Sequence, residues 1–214
     1  MLSINHLRNL IDDELNKISY DNKVQNLYQP FEYVFSLEAK RMRPILLLLS
    51  HQLFDDDINK SIHLAIAVEM FHNFTLLHDD IMDQAILRRG KSTVHKKWNK
   101  NIAILSGDAM LVKAYEYICM KNQENLFDIL NVFNETAIAV CEGQQYDMDF
   151  EKRNDVTIND YIEMIRKKTA VLLAACLKIG AISAGASLSN QQELHQFGIN
   201  IGIAFQLKDD LLDI

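Results

Sequence analysis

The sequence contains one acidic pattern, Asp-Asp-x-x-Asp, in two places: "HDDIMD" from His78 to Asp83 and "KDDLLD" from Lys208 to Asp213. In a helix, the first and last aspartates of each copy share a face, one turn apart. Carboxylate oxygens are the ligands that a hard cation such as Mg²⁺ prefers. A solvated acidic edge is the alternative for a single copy, but two copies in apolar helices favour a metal site.

Apolar side chains surround both acidic segments. They are Leu76, Leu77, Ile81 and Met82 at the first, and Phe205, Leu207, Leu211 and Leu212 at the second. Carboxylates on a buried face repel one another unless a cation lies between them. Mg²⁺ commonly shares its coordination with phosphate oxygens. Two such clusters facing each other across a helical bundle would hold metal ions and a polyphosphate.

A first basic segment, "EAKRMRP", gathers Lys40, Arg41 and Arg43 just before Pro44. Pro44 disfavours an α conformation at Arg43 and suits the first turn of the next helix. Helix N-termini carry partial positive charge and free N–H groups, so this segment is a candidate phosphate site. A solvated loop is the alternative.

A second basic segment, Arg88-Arg89-Gly90-Lys91, follows the first acidic cluster. Cations after a helix can simply complement its dipole. Two separate basic segments would nevertheless suit two phosphorylated ligands, one bound through metal and one bound directly by lysine and arginine.

Two further polar positions lie in apolar helices. His72 is seven residues before Asp79 and therefore nearly on the same face, although a lone histidine there is more often a core residue. Lys168, followed by Thr169, lies in a strongly apolar helix, and a buried lysine requires an anion.

The elements that carry these residues are predicted to be helices throughout. Apolar residues recur at spacings of three and four, and the 214 residues include only two prolines and seven glycines. Thr157 and Ser189 are predicted helix caps, and Val171 to Ile182 is apolar on every side, as in a fully buried helix. A single helical bundle domain is expected over 1–214. Its predicted helices are 3–18, 31–40, 44–54, 60–84, 103–121, 124–146, 158–186 and 190–214.

The composition limits the classes of partner. A net charge of -7 argues against nucleic acid as a partner. Cys119, Cys141 and Cys176 form no CxxC and indicate buried thiols in a reducing compartment. The N-terminus has no apolar signal core, and no apolar run is long enough for a transmembrane segment. We therefore expect a soluble, cytoplasmic protein.

Together these segments resemble the trans-isoprenyl diphosphate synthases, or polyprenyl synthetases. "LLHDDIMD" with "LRRGKSTVH" resembles the first aspartate-rich motif and its arginine loop, and "FQLKDDLLD" resembles the second. "CEGQQYDMDF" and "KKTAVL" are similar to two further motifs, in the expected order, and the match runs from about residue 28 onward. The resemblance implies an all-α bundle of the isoprenoid-synthase type, usually a homodimer.

The resemblance also implies a reaction. Mg²⁺ would draw diphosphate off an allylic substrate, and the double bond of isopentenyl diphosphate would attack the resulting cation before a proton is lost. An apolar bundle interior keeps such a cation from water. Phe74 or Thr75, one turn before Asp79, would form the floor that limits the product to a short chain of about C15–C20 by family analogy.

The motif positions imply a role for each site residue. The implied metal ligands are Asp79, Asp83, Asp209 and Asp213. The implied catalytic residues are Asp79, Asp80, Asp83, Lys168, Asp209 and Asp210. The implied ligands of isopentenyl diphosphate are Lys40, Arg43, His72 and Arg89. The implied allylic-site residues are Arg88, Gln144, Asp147, Lys168, Thr169 and Gln206.

Two departures from the family pattern bear on activity. Glu38 and Ala39 replace two glycines, which removes backbone freedom and adds a like charge near an anion. The chain also stops one residue after the second motif, so 1–214 corresponds to the N-terminal two-thirds of the family fold, with the C-terminal helices missing. A non-catalytic partner subunit and a class I terpene cyclase are the alternatives. The second aspartate motif and the Lys-Arg-x-Arg-Pro segment favour condensation over cyclisation.

Overall fold

The computed structural model describes residues 2–20, 24–121 and 124–212. The described chain is mainly helical with only two short strands, which confirms the predicted all-α class. Its α-helices are α1 (Ile4–Asn16), α2 (Gln25–Ser36), α3 (Met42–Gln52), α4 (Ile62–Met82), α5 (Val94–Lys97), α6 (Lys100–Ile118), α7 (Leu126–Phe150), α8 (Ile158–Ile165), α9 (Val171–Ser183) and α10 (Leu188–Leu212). A 3₁₀ turn covers Ile58–Lys60, a π-helical turn covers Arg166–Ala170, and strands β1 (Leu87–Arg88) and β2 (Lys91–Ser92) form an antiparallel hairpin.

The chain folds into two compact units, and the first change from one unit to the other falls inside α3. The first unit comprises Leu2–Ile45 and Ile62–Asn122, and the second comprises Leu46–Ser61 and Gln123–Ile214. The single domain expected from the sequence remains a prediction.

Helix α4 is the most deeply buried element of the first unit. Every residue from His63 to Phe71 is buried, and α4 packs chiefly against α6. Helix α6 begins after Asn99, whose side-chain oxygen accepts a hydrogen bond from the Ile102 amide at 2.9 Å. Because the C-terminal half of α4 carries His72 and the first acidic cluster, this packing fixes where those residues lie.

In the second unit, α9 is buried on all sides, as predicted for Val171 to Ile182. It packs against α7 and α10. Helix α10 makes a close approach at two glycines. A Cβ at Gly198 would lie 2.4 Å from Ala174 Cα, and one at Gly202 would lie 2.5 Å from Ala170 Cα. The backbone of α10 therefore meets that of α9 at Gly198 and that of the π-helical turn at Gly202.

Two helix ends test the predicted caps. Thr157 caps α8 in a reciprocal box with Asp160, as predicted. The prediction for Ser189 is wrong, because α10 already begins at Leu188 and the Asn190 amide donates to Ser187 Oγ at 3.3 Å. Ser187 has the required position one residue before the helix, and Ser189 lies inside it.

Helices α2 and α3 begin earlier than predicted. Helix α2 runs through Pro30, which is buried with Phe31, so packing outweighs the hydrogen bond that proline cannot donate. Arg43 is helical, contrary to prediction, because α3 starts at Met42. Pro44 lies in the first turn of α3 as expected, where its missing N–H costs nothing.

The described residues also bear on membrane spans and on the cysteines. Within the described ranges, no helix combines the length and apolar character needed to cross a bilayer. Cys176 is buried as expected, but Cys119 and Cys141 are exposed. Their helices are amphipathic, and an apolar neighbourhood in sequence does not reveal which face is covered.

Candidate functional site

The first acidic cluster lies at the end of α4. Asp80 is buried, Asp79 is half-buried, and Asp83 is exposed just past the helix. The Asp83 amide donates to the Asp79 carbonyl at 2.9 Å, so the helical turn continues and both side chains keep the predicted spacing. Burial raises the pKa of Asp80, although the nearby Arg88 guanidinium opposes that rise.

The arginine segment is a tight hairpin. Leu87 pairs with Ser92 and Arg88 with Lys91, and the two residues between, Arg89 and Gly90, have φ of 54° and 73°. Two consecutive positive φ angles are typical of the type I′ turn, whose twist matches that of paired strands. Arginine rarely adopts this conformation, so the strain lies at a predicted ligand residue.

Side chains attach this hairpin to the acidic cluster. Arg88 Nε donates to Asp80 Oδ1 at 2.7 Å, and Arg88 Nη2 lies 3.4 Å from Asp79 Oδ2. Tyr33 Oη donates to the Ser92 carbonyl at 2.8 Å, and Thr93 Oγ1 donates to the Ala85 carbonyl at 2.8 Å. The positive charge of Arg88 therefore partly neutralises the carboxylates of Asp79 and Asp80.

The first basic segment brings Arg43 to His72. Arg43 Nη1 and His72 Nε2 are 3.0 Å apart, while Lys40 is exposed. Burial, followed by the charges of Arg43 and Arg89, holds the pKa of His72 well below its ordinary value. A neutral imidazole can accept the Arg43 proton through Nε2, so His72 adds no charge to the cluster.

Backbone conformation resolves part of the concern over Glu38 and Ala39. Neither residue has a positive φ; the left-handed residue of this loop is Arg41, with φ of 49°. Glycine's conformational freedom is therefore not used at positions 38 and 39. The like charge of exposed Glu38 remains.

In the second unit, the Lys168 segment is a π-helical turn between α8 and α9. Such turns occur often at functional sites. The turn lies against Gly143 of α7, where a Cβ would be 2.3 Å from the Lys168 backbone nitrogen. Lys168 is half-buried, less deeply than expected, and the anion that it was expected to require is Asp147, whose Oδ2 accepts from Nζ at 2.6 Å.

A hydrogen-bonded chain links the same turn to the second acidic cluster. Thr169 Oγ1 donates to Gln206 Oε1 at 2.9 Å, and Gln206 Nε2 donates to Asp210 Oδ1 at 2.8 Å. Tyr161 Oη donates to the other oxygen of Asp210. Burial and this contact raise the pKa of Tyr161 to about 12. Asp210 is thus oriented by side chains from two elements.

The remaining predicted residues of the second unit are less enclosed. Asp209 is exposed, and Asp213 lies outside the described residues. Leu211 and Leu212 are more than 70% exposed, so the prediction that this cluster lies among buried side chains is wrong for the described part of α10. The Gln144 amide nitrogen is buried and has no hydrogen-bond partner among the described residues.

The predicted chain-length residues lie on α4, in the first unit. The Phe74 ring contacts Phe71 and His78 with centroids 5.6 and 4.9 Å away. Thr75 Oγ1 donates to the His72 carbonyl at 2.7 Å. Of the two candidates for the floor, Phe74 has the larger side chain, and neighbouring rings hold it in place.

Sequence reasoning missed Glu69, Tyr161 and the role of Arg41. Arg41 and Glu69 form an ion pair in which both side chains are only 2% exposed. One available signal was that Glu69 is the single acidic residue of α4 before Asp79. No local signal distinguished Tyr161.

The donors of both clusters suit a hard divalent cation, because all of them are carboxylate oxygens. Among the described residues, however, no three acidic, histidine or cysteine side chains converge as a metal site. Asp79 and Asp80 instead face Arg88.

Comparisons with known proteins extend over almost the whole chain. A family model described as polyprenyl synthetase matches residues 24–214. A geranylgeranyl diphosphate synthase of Methanosarcina mazei is 40% identical over 95% of this chain and 64% of its own length. A geranylfarnesyl diphosphate synthase of Natronomonas pharaonis is 36% identical over 97% of this chain and 66% of its own. A crystal structure of a geranylgeranyl pyrophosphate synthase matches with a TM-score of 0.96 and 46% identity, covering 100% of this chain and 65% of that one. The chain thus spans just under two-thirds of the length of these relatives.

Proposed function

The chain belongs to the polyprenyl synthetase family, and from this premise we propose that it condenses an allylic diphosphate with isopentenyl diphosphate. The observation that carries the proposal is the pairing of Arg43 with a neutral His72, near Arg89, on the helix whose last turn holds Asp79 and Asp80. Such a group can bind a diphosphate directly, next to carboxylates suited to a metal-bound one.

Isopentenyl diphosphate would be held by Lys40, Arg43, His72 and Arg89. Partial burial and the charges of neighbouring arginines lower the pKa of Arg89, although Glu69 opposes that effect. Like charges that crowd together are relieved when an anion binds among them. Arg43 and Arg89 have the planar fork that grips phosphate oxygens with two hydrogen bonds, and Lys40 adds an exposed cation.

The allylic diphosphate would be bound by Arg88, Gln144, Asp147, Lys168, Thr169 and Gln206. Asp147 orients Lys168 and Gln206 orients Thr169. The buried Gln144 amide nitrogen is a donor that suits a phosphate oxygen. Lys168 would bring positive charge to the leaving group as the carbon–oxygen bond breaks, with Asp80 and Asp210 holding the neighbouring polar groups in place.

We propose Mg²⁺ as the metal, with Asp79, Asp83, Asp209 and Asp213 as the residues that would hold it. When bound, it would neutralise charge on the leaving diphosphate. Oxygen-only ligands favour Mg²⁺ over softer metals.

The product is proposed to be a short-chain polyprenyl diphosphate of about C15–C20, with Phe74 as the floor. The distance supports this assignment: five residues of helix place Phe74 about 7.5 Å from Asp79 along the axis, roughly one prenyl unit.

The test is incorporation of radiolabelled isopentenyl diphosphate by the 214-residue chain, with Mg²⁺ and several allylic primers. We expect incorporation that Asp79→Ala lowers by about 10²-fold or more. Binding of isopentenyl diphosphate without incorporation would instead favour the partner-subunit alternative. Release of a hydrocarbon from the allylic diphosphate alone would favour a cyclase.

We also propose a cytoplasmic homodimer. Exposed free thiols at Cys119 and Cys141 persist most readily in a reducing compartment. Exposed apolar side chains of α6, including Leu105 and Val112, suit an interface between copies. Light scattering at several concentrations measures the oligomer, and a mass of one chain throughout would contradict the dimer.

A further inference from the structure

Arg41 combines a buried charged side chain with a strained backbone conformation. Its side chain is 2% exposed, and its backbone has φ of 49°, the left-handed region. It lies between Lys40, in the loop, and Arg43, in the first turn of α3, and both are assigned to isopentenyl diphosphate. A strained, buried arginine at this point requires a specific reason, because strained residues persist only where their surroundings hold them.

Three elements of the first unit hold the Arg41 guanidinium. Nη1 donates to Glu69 Oε1 at 2.7 Å, Nε to Asp12 Oδ1 at 2.9 Å, and Nη2 to the Phe35 carbonyl at 2.7 Å. Asp12 belongs to α1, Phe35 to the last turn of α2, and Glu69 to α4. The Phe35 carbonyl is one of those that a helix end leaves without an intrahelical donor. One side chain thus connects three helices at the loop that carries Lys40.

Glu69 continues the network toward the candidate phosphate site. Its carbonyl accepts from Asn73 Nδ2 at 2.8 Å, and its Oε1 lies 3.2 Å from the same nitrogen. Asn73 is fully buried and lines a cavity of about 20 Å³ together with Arg88 and Arg89. Burial opposes the charge on Arg41, but Glu69 and Asp12 outweigh it and raise the Arg41 pKa. Arg41 therefore keeps its charge, and each of its three side-chain nitrogens already donates to a protein group.

We propose that the Arg41–Glu69 ion pair is a positioning device that sets the orientation of Lys40 and Arg43 toward isopentenyl diphosphate. The inference rests on the proposed function for the identity of the ligand. Arg41 and Glu69 are positioning residues in this scheme, because all three side-chain nitrogens of Arg41 donate to protein groups and Glu69 is acidic.

A simple charge effect predicts the opposite result, which makes the inference testable. Removing the Glu69 charge leaves the cluster of Arg41, Arg43 and Arg89 more positive, so electrostatics alone would tighten the binding of a diphosphate. Loss of positioning would weaken it, because misplacement by about 1 Å can cost about 10²-fold in a reaction or contact that depends on geometry. Arg41→Lys keeps the charge but loses the fork, so charge alone predicts no change.

The experiment compares the wild-type chain with Glu69→Gln and Arg41→Lys by calorimetry. The ligands are isopentenyl diphosphate and a non-hydrolysable allylic diphosphate analogue, so that no turnover is needed. We expect the affinity for isopentenyl diphosphate to fall about tenfold or more in both variants. The affinity for the allylic analogue should stay within about twofold. In turnover assays, the KM for isopentenyl diphosphate should rise while the KM for the allylic substrate is retained.

A matched control is Asp155→Asn, which removes the carboxylate of another arginine pair, Arg153–Asp155, on an exposed surface. It should change neither affinity. Because Glu69→Gln removes the buried anion of this guanidinium and leaves only the more exposed Asp12, it can unfold the chain. The double variant Arg41→Met/Glu69→Leu addresses this risk, since an apolar pair of similar size restores packing without orienting the loop. It should unfold at a midpoint close to that of the wild type and still bind isopentenyl diphosphate weakly.

The outcomes separate the inference from the proposed function. Unchanged or tighter binding of isopentenyl diphosphate in folded variants overturns the positioning role. Equal weakening of both ligands overturns it too, since that is the sign of general destabilisation. A wild-type chain that binds no isopentenyl diphosphate at all would refute the proposed function itself, and the inference with it.

Discussion

Gly143→Ala is expected to displace the π-helical turn that carries Lys168 and Thr169. An added Cβ would lie 2.3 Å from the Lys168 nitrogen and 2.7 Å from the Lys167 carbonyl carbon, and both atoms belong to backbone. Ordinary contact begins at 3.4 Å, so α7 and the turn must separate by about 1 Å. We expect a loss of about 1–3 kcal/mol in unfolding free energy and about 10²-fold in activity. Urea denaturation and steady-state incorporation of isopentenyl diphosphate measure the two effects.

The control for this prediction is Cys141→Ala, which alters an exposed side chain on the same helix. It should leave both quantities within experimental error. The KM for the allylic substrate is the most specific readout, because Lys168 and Thr169 are assigned to that ligand. If Gly143→Ala matches the wild type in stability and in allylic KM, the close approach is not what positions the turn.

Two further predictions concern acid stability and product length. His63 is 4% exposed, neither ring nitrogen has a hydrogen-bond partner among the described residues, and burial lowers its pKa to about 4. The folded state therefore keeps His63 neutral while the unfolded chain takes up a proton, so stability falls as pH drops from about 6.5 toward 4. At pH 5 the loss is about 2 kcal/mol relative to His63→Leu, and parallel pH profiles of unfolding free energy would contradict it. Phe74→Ala is expected to lengthen the product by at least one isoprene unit in chromatography of dephosphorylated products, and an unchanged distribution would place the floor elsewhere.

The helices could be predicted from sequence because their buried faces recur at helical spacing. The predicted 60–84 and the observed Ile62–Met82 differ by two residues at each end. Periodicity could not reveal the π-helical turn at Arg166–Ala170, since the helix that follows is apolar on every side and has no distinct face whose shift would mark an inserted residue. Periodicity also could not place the start of α2. Proline disfavours a helix interior, but the packing of buried Pro30 outweighs that preference.

The candidate site was predictable where residue type alone indicates chemistry. Aspartate pairs and arginines near a predicted helix end could be selected in this way. Arg41 and Glu69 are 28 residues apart, and Tyr161 and Asp210 are 49 apart. Such pairs depend on which helices pack together, which a single sequence specifies only through its whole fold. The same holds for the left-handed Arg89, whose conformation follows from the hairpin.

The contact of α10 with the π-helical turn through Gly202 sets the distance between that turn and the second acidic cluster. Residues four and seven positions after Gly202 are Gln206 and Asp209, and all three lie on one side of the helix. Gly202 contacts Ala170, and one turn further along α10 Gln206 accepts the hydrogen bond from Thr169. A larger side chain at position 202 would push α10 away from the π-helical turn. Gln206 and Asp209 would move together, and the distance between them would not change. Substitutions of increasing volume at this one position would therefore displace Gln206 and Asp209, two residues proposed for the site, by increasing amounts, although residue 202 bears no functional group.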